Sequence, residues 1–155
     1  MGSKKINIRR LTLIALFTAI VAVMQMLGGF IKFGQFSVTL VLVPIVVGAA
    51  MCGVATGAWL GCVFGLMVFA TGDAAAFLAI DPAGTIVTVM LKGILAGLAA
   101  GLTYKLLSRI NRYLAVFTAA IVSPVVNTGI FLIGCNLFFS WLYQLFSQRR
   151  AKALR

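Results

Sequence analysis

The stretch LTLIALFTAIVAVMQMLGGF, Leu11 to Phe30, decides the fold class. It carries no charge and is entered from the basic pair Arg9-Arg10. A bilayer core of about 30 Å is crossed by roughly 20 apolar helical residues, so this stretch reads as a transmembrane helix. The rest of the chain repeats the pattern. Of 155 residues 63% are hydrophobic, mean hydropathy is +1.14, and two acids face thirteen Lys and Arg. A soluble domain this apolar would have no surface to offer water. The reading is an all-α integral membrane protein, a compact bundle of five to six transmembrane helices in one domain, residues 1–155. The spans fall at about 11–30, 37–51, 58–71, 85–106 and 113–139. Residues 140–155 form an amphipathic, basic tail or a remnant sixth helix. The second and third spans are short, and Gly53 and Gly57 bracket a tight turn between them, so they read as a membrane hairpin.

The net charge of +11 raises nucleic acid as a partner, but the placement of the bases opposes it. They mostly bunch at Lys4 to Arg10, Lys105 to Arg112 and Arg149 to Arg155, at segment ends rather than on one face. Lys and Arg accumulate in cytoplasmic loops, which makes the lipid bilayer the partner and places the N-terminus inside. Counting crossings then puts the Lys105–Arg112 loop inside and the loop holding Asp73 and Asp81 outside. A single fifth span would leave the C-terminal bases outside. A turn near Gly134-Cys135-Asn136 would bring them in, with a second limb of about a dozen residues. Both alternatives stay open. The apolar run after the first bases is too long for a usual secretory h-region, and no clear cleavage site follows. Cys52, Cys62 and Cys135 lie in apolar context without a C-x-x-C pair and read as buried small hydrophobes. His is absent. No catalytic residue, metal ligand or cofactor is expected.

Small residues recur every four positions: Gly57, Gly61, Gly65; Gly93, Gly97, Gly101; and Ala15, Ala19, with Ala22 on nearly the same face. Positions four apart share a helix face, and small residues there let backbones approach where lipid supplies no hydrophobic force. The glycine series read as packing within the bundle. The alanines read as packing or as a docking surface for another subunit.

Polar residues at membrane depth point to function. Lys92 lies roughly 12 Å below the outer end of its span and Asn127 roughly 21 Å above the inner end of its own. In a core of about 30 Å both fall about 10 Å beneath the outer face, which suggests a shared pocket. No acid occurs within a span to neutralise Lys92. It needs an anion, carbonyls or water, or else it snorkels to the surface. Lys32, Gln35, Asp73, Asp81 and Asn136 come to the outer face and are candidates to complete the pocket. Thr85, Thr88, Ser123 and Thr128 have a simpler use, bonding their own helix backbones.

The string FSVTLVLVPIVVGAAMCG from Phe36, followed by GAWLGCVFG from Gly57, resembles the substrate-binding S components of energy-coupling factor (ECF) vitamin transporters. The shared features are a Pro-containing second span, a Gly turn and a Gly-x-x-x-Gly third span. The Ala-x-x-x-Ala of the first span, Ala15 to Ala19, fits as well. The resemblance covers roughly residues 9–139. It implies a membrane protein of the bacterial cytoplasmic membrane that binds a vitamin or related micronutrient from outside. Its pocket would use the outer loops and later helices, where Lys92, Asn127 and the Asp73 loop fall. The alanine face would dock on a transmembrane coupling protein that carries two ATP-binding subunits. No G-x-x-x-x-G-K-[ST] phosphate loop occurs here, so ATP hydrolysis falls to those partners. Family members usually have six helices, where this chain offers five clear spans and a short basic tail. Lys92 and Lys32 favour an anionic ligand. The rival readings are a self-associating channel or small efflux carrier, a structural membrane subunit, and a membrane enzyme. A proton-coupled carrier usually holds an acid within a span, and an enzyme needs acids, His or a nucleophile converging at one depth. Neither set is present.

Overall fold

The computed structural model describes residues 8–30, 32–33, 36–37, 40–79 and 82–153. Helix α1 is Ile8–Phe30. A two-residue antiparallel pair follows, β1 (Lys32–Phe33) with β2 (Phe36–Ser37). Then come α2 (Leu42–Cys52), α3 (Val54–Ala70), the single turn α4 (Ala75–Leu78), α5 (Pro82–Leu107) and α6 (Arg112–Ala153). The protein is an all-helical membrane bundle. α1, α5 and α6 each contain a stretch long and apolar enough to cross a bilayer, while α2 and α3 are shorter apolar helices.

The second helix begins at Leu42, five residues later than the apolar run suggests, because Phe36–Ser37 is paired with Lys32–Phe33. The hairpin between α2 and α3 is tighter than Gly53 to Gly57. Gly53 alone makes it, at φ +96°, a backbone setting that costs a side-chain-bearing residue and suits Gly. Gly57 is already inside α3. Across this turn the Arg10 guanidinium donates to the Cys52 carbonyl at 2.6 Å. A cation on the last carbonyls of a helix interacts favourably with its dipole. Arg10→Met is therefore expected to lower stability by about 0.5–1 kcal/mol, measured by denaturant titration in detergent.

α3 and α5 form the centre of the bundle, and their antiparallel contact is the most extensive among the described residues. A Cβ placed on Gly57 would strike the Gly97 carbonyl, and one on Gly97 the Gly57 carbonyl. Gly61 and Gly93 face each other in the same way. Gly65 sits against Met90, and Gly101 against Val54. The two glycine series thus mesh backbone to backbone. α2 packs on α1, α3, α5 and α6, and Val21, Ile45, Leu60 and Val89 are sealed in the core. The outward faces stay apolar: Leu16, Val23 and Leu27 on α1, Leu102 and Leu106 on α5, Phe117, Val125 and Leu132 on α6. Helices that are apolar on both faces belong in lipid.

α6 runs through Gly134-Cys135-Asn136 without a turn, which selects one long helix over the hairpin. At 1.5 Å per residue its 42 residues span about 63 Å. Gly134 serves packing: a Cβ there would collide with the Thr88 side chain of α5. Residues up to Ala153, read as tail or remnant helix from the sequence, continue α6.

Candidate functional site

Polar side chains gather at the end of the bundle where α3 passes into α4 and α5. Gly72 turns the chain at φ +73° and presents Asp73. Gln25, on α1 and 4% exposed, donates Nε2–H to Asp73 Oδ2 at 2.8 Å. The Thr71 hydroxyl lies 3.1 Å from the same oxygen and 3.0 Å from the Met67 carbonyl, and its single proton can serve either. This buried amide ties the connection to α1. Gln25→Leu is expected to loosen residues 71–79, with faster hydrogen exchange there and unchanged exchange in α5. Equal protection in the variant would show that the bond does not hold the loop.

Lys92 extends from α5 over the ring of Phe131 on α6, Nζ 4.5 Å from the centroid. Phe131 in turn meets Phe77 of α4 edge to face, centroids 5.3 Å apart. Among the described residues no hydrogen bond or ion pair reaches its ammonium. The aromatic face offsets part of its desolvation but supplies its N–H donors with no oxygen, and none of the described residues does.

Asn127 is buried, 6% exposed, and its Oδ1 has no partner among the described residues. It shares a face of α6 with Ser123, one turn away, whose hydroxyl donates to the Ala96 carbonyl at 3.3 Å. The contacts Ala96–Ser123 and Thr88–Gly134 bracket the antiparallel pairing of α5 with α6. Lys92 and Asn127 lie midway between them, at one level. The Lys92 ammonium lies over the ring of Phe131, four positions along α6 from Asn127. A cavity of about 30 Å³ lies between α4, α5 and α6, lined by Phe77, Thr85, Thr88, Val89, Phe131 and Cys135 among others but by neither Lys92 nor Asn127. It has room for one or two waters.

Lys92 on α5 and Asn127 on α6 belong to adjoining helices, and Asp73 lies in the connection before α4, bonded to Gln25 and Thr71; no cavity is lined by all three. Asn136 is exposed on α6 and does not line the cavity. Lys32 is described by its backbone alone, in β1. Gln35 and Asp81 lie outside the described residues. Cys52 is buried, but Cys62 and Cys135 are half-buried, and Cys135 faces the cavity rather than filling a core. Gln25, Phe77 and Phe131 are additions that sequence reasoning missed. Gln25 had a signal, as the one amide in the Leu11–Phe30 run.

A second feature lies at the opposite, Arg10 end. α1 and α3 splay to leave an open groove of about 740 Å³. Ala15, Thr18, Ala19 and Ala22 floor it from α1, and Ala55, Thr56 and Trp59 from α3. The Trp59 indole N–H donates to Thr18 Oγ at 3.3 Å across it. Ala15 and Ala19 are exposed and Ala22 is half-buried. The groove is largely apolar and far larger than the cavity between α4, α5 and α6, and its polar groups are Arg10, Thr56 and the mutually bonded Trp59 and Thr18. It fits a helix better than a polar small molecule.

The family model of the ECF transporter substrate-specific component matches residues 9–153. No curated protein and no solved structure matches the chain.

Proposed function

The chain belongs to the substrate-specific components of ECF transporters, and on that premise we propose that it captures an anionic micronutrient of vitamin type at the Asp73 end. It then delivers this ligand by docking through the α1–α3 groove on a transmembrane coupling protein served by two ATPases. The N-terminus and Arg109 lie in the cytoplasm and the Asp73 connection outside, in a bacterial plasma membrane. The observation that carries this reading is Lys92: a half-buried ammonium with no acid bonded to it among the described residues, on the helix that packs against Asn127, whose buried Oδ1 has no partner among them. A cation in that position is costly unless a ligand anion or water meets it. The apolar groove at the other end supports a division between ligand capture and partner docking.

Two experiments test the proposal. The purified protein is titrated, without ATP, with a panel of anionic vitamins while its unfolding is followed. A ligand that binds only the folded state raises apparent stability by mass action. One member should do so at one equivalent per chain, and a panel without effect on the folded protein would contradict the reading. For topology, a cysteine introduced at position 73 should react with an impermeant maleimide from outside. Labelling from the cytoplasmic side alone would reverse the orientation.

A further inference from the structure

We propose that the α1–α3 groove of the free protein holds an acyl chain of an anionic phospholipid whose headgroup phosphate sits on the Arg10 guanidinium. The lipid belongs to the leaflet at the Arg10 end and leaves when a partner helix takes its place. Such a lipid site goes beyond partner docking and does not depend on it.

The polar groups of the groove are satisfied inside the chain, with one exception. The Thr18 hydroxyl donates to the Ile14 carbonyl at 2.7 Å and accepts from the Trp59 indole at 3.3 Å. The Thr56 hydroxyl donates to the Cys52 carbonyl at 3.2 Å. Arg10 differs. A guanidinium carries five N–H donors, and one of them goes to the Cys52 carbonyl at 2.6 Å. The others have no partner among the described residues. The rest of the lining is hydrocarbon: Leu11, Ile14, Ala15, Ala19, Ala22 and Ala55. Hydrocarbon along the length and a planar cation at one end suit an amphiphile with an anionic head. Guanidinium meets phosphate bidentately.

Length and charge say which amphiphile. Arg10 and Ala22 are twelve positions apart on α1, about 18 Å. Half of a bilayer core is about 15 Å, so the groove is one leaflet deep and one acyl chain runs its length. At the α2–α3 turn a Cβ on Gly53 would lie 3.6 Å from the Arg10 guanidinium, and Gly101 of α5 packs on the neighbouring Val54. Lys105, Arg109 and Arg112 follow Gly101 in the chain, so they share this end with Arg9 and Arg10. Asp73 is bonded to Gln25 at the other end, and Asp81 is outside the described residues. Bases at the membrane surface attract anionic lipid. A second copy of the chain would set the same bases against Arg10 and be repelled.

Trp59 lines the groove and is one of two tryptophans, so a Trp141→Phe background makes it the sole reporter. The protein is reconstituted in phosphatidylcholine vesicles with increasing fractions of phosphatidylglycerol or phosphatidylcholine brominated midway along one chain. Bromine quenches the indole on contact, and circular dichroism checks the fold of each variant. Phosphatidylglycerol should bind about fivefold more strongly than phosphatidylcholine, roughly what one base near the surface contributes. Arg10→Gln should bring the ratio to about one. Arg9→Gln removes the same charge from an exposed side chain that does not line the groove, and should leave the ratio unchanged. Arg10→Lys keeps the cation and the fold and should recover part of the ratio. Ala15→Leu with Ala19→Leu fills the groove and should abolish the preference although Arg10 remains. No preference in the Trp141→Phe protein would overturn the proposal. So would equal loss in Arg9→Gln and Arg10→Gln, which means diffuse charge, or a preference that survives the filled groove, which means a headgroup held without its chain. If the preference is absent while Ala19→Leu still blocks assembly with the coupling protein, the proposed function stands without the lipid.

Discussion

Gly97→Ala should destabilise the bundle by about 1–2 kcal/mol, and Gly97→Leu should prevent it from assembling. The added Cβ meets the carbonyl of Gly57, a backbone atom on the facing helix that cannot rotate away. Overpacking of this kind costs about 1–3 kcal/mol. The better helix propensity of Ala returns up to about 1 kcal/mol. The loss should win because α3 and α5 have to separate along their whole contact, and in lipid that contact is held by close packing rather than by exclusion of water. Gly129 provides the control, since a Cβ there meets nothing within 4 Å. Gly129→Ala should be neutral or slightly stabilising. Unfolding in mixed micelles measures all three. Equal behaviour of Gly97→Ala and Gly129→Ala would show that the α3–α5 contact is looser than described.

The second large effect concerns docking. Ala19→Leu, alone or with Ala15→Leu, should abolish co-purification with the coupling protein and ATP-driven uptake, and leave ligand affinity unchanged. Both alanines are exposed on the floor of the groove, so a larger side chain fills it without disturbing the core. Two helices that pack through small residues are then propped apart. Val23→Ala is the matched control, because Val23 is 55% exposed on α1 but does not line the groove. Complex formation that survives Ala15→Leu with Ala19→Leu would move the docking surface elsewhere.

The long helices were legible because their apolar runs have no competing interpretation. The start of α2 was not. Phe36 and Ser37 lie in an apolar string that suits strand or helix alike, and pairing with Lys32–Phe33 settles the matter only in three dimensions. Gly134 looked like a turn because glycine breaks helices more often than it packs them. Its reason for being glycine is Thr88, 46 positions earlier in the sequence. The glycine stripes showed in the sequence as faces, but the pairing of Gly57 with Gly97 is a register between two helices, which spacing alone does not encode. Lys92 and Asn127 stood out as polar residues in apolar runs. Phe77, Phe131 and Cys135 were invisible for the opposite reason: in a chain that is 63% hydrophobic, an apolar wall residue looks like every other. Gln25 was readable and overlooked. It shows that an intramembrane amide can hold a loop rather than a ligand.

The central claim is that Lys92 holds the ligand's anion. Titration calorimetry of Lys92→Met against wild-type protein, with the vitamin found by the stability screen, tests it most directly. Methionine keeps the length and removes the charge. A charge-assisted hydrogen bond contributes about 1.5–3 kcal/mol, so affinity should fall roughly tenfold to a hundredfold. Folding should be unharmed or improved, since a costly half-buried charge has gone. Unchanged affinity in a folded Lys92→Met would contradict the account, and would mean that this lysine only leans on Phe131 while the ligand binds elsewhere.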